Sequence, residues 1–147
     1  MTQMVEKAFR AASGAGTGTV ARKERWVLVA NTVAVTVSAV SSVVGMAAPG
    51  LLLNGATPGD GAEIYAQAYA VRQLPLTAAF LTALSGRHRR HLVPVLLVSG
   101  LVQAGDALIG ATSGIPGMAA GGTLAATLHF ASAAWLSRHR QPTAALA

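Results

Sequence analysis

No cysteine occurs in the 147 residues of the chain, and that absence excludes disulfides, thiolate metal sites and cysteine nucleophiles. Charge is nearly as scarce. Asp, Glu, Lys and Arg make up 11% of the sequence, against about 25% in an ordinary soluble domain. Aromatic residues stop at 5%, while hydrophobic residues reach 52%. Too few charged groups are present to clothe a water-facing surface, and the class this implies is an integral membrane protein. HExxH, Walker A, GxGxxG and CxxC motifs are missing as well, so nothing points to zinc-hydrolase, phosphate-loop or dinucleotide chemistry.

What the sequence does contain is four long apolar segments, at about 26–48, 62–84, 92–112 and 117–137. Each has about the ~20 residues that a helix needs to cross a ~30 Å hydrocarbon layer. The breakers "NGATPGDG" and "SGIPG" and the charged link "SGRHRRH" separate them. The expected fold is therefore all-α, an integral membrane four-helix bundle over residues 26–137. Residues 1–25, with "ASGAGTGTVA", read as a flexible basic cytoplasmic tail. Residues 138–147 read as a second, short cytoplasmic tail. The first segment is too long for the core of a cleaved signal peptide, so it is expected to be retained.

The placement of basic residues sets the expected orientation. Lys7, Arg10, Arg22, Lys23, Arg25, Arg87, Arg89, Arg90, Arg138 and Arg140 fall in the N-terminal tail, the second link or the C-terminal tail. With four spans those three regions share one side. The opposite side has Asp60 and Glu63 and no Lys or Arg. By the positive-inside rule both termini are cytoplasmic, in a multi-pass protein of the cell membrane. The net charge of +6 is then a topology signal, and nucleic acid is not expected as a partner. The lipid bilayer is the partner expected instead, and homo-oligomers are compatible with this reading.

One basic residue, Arg72, lies inside a span, together with Gln73, Gln103, Asp106 and His129. Ionisable groups at membrane depth cost several kcal/mol and face a bundle interior or a wet cavity. At ~1.5 Å per residue, Asp106 lies roughly 9 Å in from the outer end of its span, Gln103 about 13 Å, Arg72 about 15 Å and His129 about 18 Å. Helical faces follow at ~100° per residue. Tyr65, Tyr69, Arg72, Gln73 and Leu76 share one face of the second span, and Ser99, Gln103, Asp106 and Gly110 share one stripe of the third. In the fourth, His129 continues a row of small residues, Gly117, Gly121 and Ala125, that invites close helix approach. Pro75 removes one backbone hydrogen bond beside Arg72.

The polar set has a structural interpretation, an Arg72–Asp106 pair with His129 and Gln103 as interhelical glue. It also has a chemical one. Asp106, His129 and Arg72 suit acid–base catalysis, and Tyr65, Tyr69, Gln73 and Gln103 suit binding of a small lipophilic substrate. An isomerase, cyclase or epoxide-opening enzyme needs only such groups, with no metal and no cofactor. His88 and His91 sit among arginines, which disfavours a metal ion there, and His129 with Asp106 supplies too few ligands for haem or di-iron. A non-catalytic accessory subunit and a proton-coupled small-molecule transporter are the competing classes.

The segments "YAVRQLPL", "GDALIG" and "LHF" resemble small bacterial four-helix membrane proteins of unknown function near the DoxX-like group. The resemblance covers roughly Trp26–Ser137. It implies a four-helix bundle with polar positions at Arg72 and Asp106, and it carries no settled reaction. The first span lacks the arginine-rich opening expected of DoxX proper, so a redox-partner role is not carried over.

Overall fold

The structure is a computed structural model that describes residues 2–48 and 60–139. It contains helices α1 (Thr2–Ala47), α2 (Asp60–Leu84), α3 (Leu92–Thr112) and α4 (Pro116–His139), and no strand among the described residues. The bounds of α2, α3 and α4 fall within two residues of the apolar segments. The first helix departs from expectation. It starts at Thr2, so the stretch expected as a flexible tail over 1–25 is helical from residue 2 onward. That stretch has no proline and is rich in Ala, Arg, Lys and Glu, which favour helix. Gly14, Gly16 and Gly18, the basis of the linker reading, each cost about 1 kcal/mol relative to Ala without removing a backbone bond. Helix α2 runs unbroken across Pro75. The region between α1 and α2, including most of the Asn54–Gly61 breaker, and the tail from residue 140 lie outside the described residues.

The α3–α4 connection shows how local chemistry closes a tight hairpin. Gly114 takes φ +67°, a left-handed conformation that side chains disfavour. Ser113 N–H makes the last ordinary helical bond, to Ile109 O at 2.9 Å, and the chain then folds back so that Ile115 N–H reaches Gly110 O at 2.8 Å, the 6→1 bond of a Schellman cap. Pro116 opens α4 at a position where its missing N–H costs nothing. Between α2 and α3, Gly86–His91 forms a 3-10 turn.

The helices form a ring in which α1 touches α2 and α4, and α3 touches α2 and α4, with no diagonal contact among the described residues. The closest pairings are α3 with α4 and α1 with α2, so the bundle is two hairpins laid side by side. Glycine makes the α3–α4 approach close. A Cβ added at Gly122 would stand 2.7 Å from Ala107 N, and one at Gly110 2.5 Å from Ala119 N. At Gly100 it would meet the Phe130 ring at 2.7 Å. The row expected to face a neighbour on α4 is corrected here. Gly117 and Gly121 have nothing within 4 Å of such a Cβ, and the buried face is Gly122, Ala126, His129, Ala133 and Leu136. Steps of four residues advance by 400°, so a strict i+4 row drifts about 40° per step, whereas alternating steps of four and three hold one face.

The antiparallel ring brings the start of the apolar part of α1, the Gly86–His91 turn and the C-terminus of α4 to one end. Arg89 Nη1 reaches Glu24 Oε1 at 3.2 Å across that end. Arg22, Lys23, Arg25, Arg87, Arg90 and Arg138 lie there as well, as does Trp135, stacked on His139 at 4.5 Å.

Inside, apolar and polar residues share the core. An apolar cluster of Val35, Phe80, Ala83, Leu92, Leu96, Ala133 and Leu136 fills the half nearer the basic end. Asn31, Ser42, Gln73, Ser99, Gln103, Asp106, His129 and Ser132 are also buried, so polar residues supply nearly half of the interior. Large apolar side chains face outward on every helix, among them Val33, Val37, Val40, Val71, Leu101, Leu108 and Leu124. Two helical stretches, Val20–Ala47 and Arg87–Thr112, are long and apolar enough to cross a membrane. The other two, α2 and α4, match them in length but are diluted by Ala, Gly, Thr and Ser.

The buried face of α4 makes a prediction of opposite signs at adjacent residues. Gly122→Ala forces its methyl group onto the α3 backbone and should lower stability by about 1–3 kcal/mol. Gly121→Ala gains helix propensity at no steric cost and should raise it by up to about 1 kcal/mol. Thermal unfolding midpoints of the two variants in the reverse order would show that α4 presents a different face.

Candidate functional site: two polar clusters across the hairpin seam

Helix α3 supplies a stripe at alternating steps of four and three, Ser99, Gln103, Asp106 and Gly110, and all four are buried. This is the stripe that the sequence specifies. Opposite it, α2 presents Gln73, which is buried, and Arg72 at the edge of the same face. Arg72 Nη2 donates to Asp106 Oδ1 at 2.5 Å. The Asp106 side chain is 3% exposed and that of Arg72 is 39% exposed. The Arg72 guanidinium lies 5.0 Å from the centre of the Tyr69 ring, a cation–π distance. One residue nearer the basic end, Gln103 Nε2 approaches Gln73 Oε1 at 3.5 Å, at the long limit for a hydrogen bond.

The Arg72–Asp106 pair is only half made. A guanidinium and a carboxylate usually meet through two parallel bonds. Here Arg72 Nε and Asp106 Oδ2 are both buried with no hydrogen-bond partner among the described residues. A donor and an acceptor of opposite charge are thereby left open within one pair. Each such vacancy costs about 1–3 kcal/mol when it stays unfilled.

The second cluster joins α1 to α4. Asn31 Nδ2 donates to Val27 O at 2.7 Å and to Ser132 Oγ at 2.7 Å. Asn31 Oδ1 lies 2.7 Å from His129 Nδ1. All three side chains are buried, at 1–3% exposure. Since Phe130 packs against Gly100, His129 sits near the level of Gly100. Asp106 is six residues further along α3, about 9 Å along the axis.

The structure thus brings Arg72, Asp106, Gln73, Gln103 and Tyr69 together, and it places His129 in a separate cluster with no hydrogen bond to Asp106. Tyr65 lies on α2, but its side chain is outside the described residues. Asn31 and Ser132 are the members that sequence reasoning passed over. The signal for Asn31 was present, since an amide in a valine-rich span needs an internal partner. Ser132 carries no such signal, because hydroxyls within helices usually bond their own backbone. Thr127 does so, to Thr123 O at 2.8 Å, whereas Ser132 lies three residues from His129 on the same face and takes the Asn31 bond instead. Among the described residues no three of His, Asp and Glu converge on a point that could hold a metal ion.

Removing one partner of the Arg72–Asp106 pair leaves the other charge without its counter-ion, which is more damaging than removing both. A double-mutant cycle on Arg72→Ala and Asp106→Ala should therefore show a coupling above about 1 kcal/mol in unfolding free energy. Additivity within about 0.5 kcal/mol would mean that the pair contributes nothing as a pair.

No protein-family model, curated protein or solved structure matches the chain.

Proposed function

We propose that this chain is an integral protein of the cell membrane with four spans and both termini in the cytoplasm, and that Asp106 acts as an acid–base group on a hydroxyl-bearing lipophilic molecule inside the bundle. The membrane assignment draws on the outward-facing valines and leucines, which need a lipid solvent. It draws also on the single basic end and on Trp26 and Trp135 beside it, where indoles favour a membrane interface. Helices α2 and α4 cross with the others because Gln73 and His129 are turned inward, and the exposed Thr82, Thr123 and Thr127 return their hydroxyls to their own backbone.

The observation that carries the chemistry is the half-made pair. Its open Nε–H and open Oδ2 ask for one group that both accepts and donates, and a hydroxyl does both. With an alcohol or enol seated there, Asp106 Oδ2 takes the hydroxyl proton while the electron pair stays on the ligand oxygen. Arg72 stabilises the negative charge that develops, and Tyr69 holds the guanidinium plane. If the same molecule carries an epoxide, the ligand oxygen forms a new C–O bond as one epoxide C–O bond breaks. The Asp106 proton then passes to the released oxygen. Atoms and charge balance within one molecule, so the reaction is an isomerisation by ring closure and consumes no co-reactant.

Reporter fusions at Ala147 and in the Asn54–Gly61 loop should report opposite sides of the membrane, and the same side for both would end the four-span topology. For the chemistry, lipid extracts of cells expressing the wild-type chain should contain a pair of species of equal mass that separate on chromatography. Asp106→Asn keeps the shape of the side chain, removes its titratable proton, and should abolish the second species while the protein stays folded. The double variant Arg72→Gln/Asp106→Asn should restore stability without restoring conversion. Return of the product in the double variant would reduce Asp106 to a structural counter-ion.

A further inference from the structure

We infer that Asn31 is a positioning residue that locks the ring of His129 in one tautomer, with the proton on Nδ1 and the lone pair on Nε2, and so makes His129 a hydrogen-bond acceptor in the bundle interior. The argument runs through atoms that have only one role. Val27 O is a carbonyl and can only accept, so the atom 2.7 Å from it must be the Asn31 amide nitrogen. The second hydrogen of that nitrogen goes to Ser132 Oγ. The amide is thereby fixed without freedom to flip, and its oxygen faces His129. An amide oxygen also only accepts, so His129 Nδ1, 2.7 Å away, must carry a hydrogen.

Two forms of the ring meet that condition, the Nδ1–H tautomer and the doubly protonated imidazolium. A buried imidazolium needs a carboxylate against it. The buried acid among the described residues is Asp106, which lies about 9 Å further along the axis and is bound to Arg72. The groups that hydrogen-bond to His129, Asn31 and through it Ser132, are neutral. The ring is therefore neutral, with Nε2 bare and directed away from Asn31. In that state it accepts from a hydroxyl or an amide N–H and has nothing to donate at Nε2. The two clusters consequently differ in what they take. The Arg72–Asp106 pair suits a group that donates and accepts, and His129 suits a donor alone. Asn31 touches no ligand in this scheme and acts through the ring.

The test is nitrogen NMR on the full chain, labelled with 15N-histidine and reconstituted in phospholipid nanodiscs at neutral pH, with the His129 signals assigned by their loss in His129→Gln. The wild-type spectrum should show a protonated Nδ1 and a bare Nε2. A protonated Nε2, alone or together with Nδ1, overturns the inference, and the spectrum that decides it is that of the wild-type chain. Ser132→Ala should keep the same tautomer, because the bond to Val27 O still orients the amide. In Asn31→Ala the ratio of Nδ1–H to Nε2–H forms should fall by about fivefold or more, the loss of one buried hydrogen bond. An unchanged ratio in that variant shows that something other than Asn31 sets the ring. None of these readouts involves Asp106, so they stand or fall apart from the acid–base role proposed for it.

Discussion

Each of the four interior hydrogen bonds described between helices crosses from the α1–α2 hairpin to the α3–α4 hairpin. The division of labour has a physical cause. Within the α3–α4 hairpin, cohesion comes from close backbone approach at Gly110 and Gly122 and from the Phe130 ring seated on Gly100, where dispersion over many small contacts suffices. Between the hairpins the contact is lighter, and there the chain relies on directional bonds. In the lipid solvent proposed for this bundle, apolar side chains gain little by meeting one another, so small residues and polar pairs are the means left for joining helices. The seam is therefore where the polar residues have to be.

That constraint explains why polar side chains form so much of the interior. In the proposed membrane setting each of them has two alternatives, to face outward at a cost of several kcal/mol or to find a partner across the seam. Asn31 satisfies its amide hydrogens and its oxygen at once. Arg72 and Asp106 satisfy only part of theirs. A bundle optimised for cohesion alone would close both forks, and the open half of one pair, set against a closed amide network, is the asymmetry on which the proposed site rests.

The parts of this design that were legible in the sequence are those encoded by spacing within one helix. The stripe Ser99, Gln103, Asp106 and Gly110 follows from steps of four and three, and the helix limits at Leu92, Thr112 and Leu84 follow from the breakers around them. The α4 face was misread because an i+4 row of small residues looks continuous in one dimension while it spirals in three. Pairings between helices were legible only where opposite charge demanded them, as for Arg72 and Asp106. The partner of His129 is a neutral amide almost a hundred residues away, and no local pattern in the first span singles it out as a partner. The helical start at Thr2 was hidden by three glycines that lower helix propensity without forbidding a helix.

The short cap at Gly114 and Pro116 reaches beyond its own turn. With Ile115 N–H bound back to Gly110 O and the two backbones in contact at Gly122, α3 and α4 have no slack to slide past each other, and they move as one lever. Asp106 and His129 both ride on that lever, while Arg72 and Asn31 ride on the other hairpin. A tilt of one hairpin against the other would pull on both clusters in the same stroke. The two clusters are thus tied to one seam, although no bond connects them.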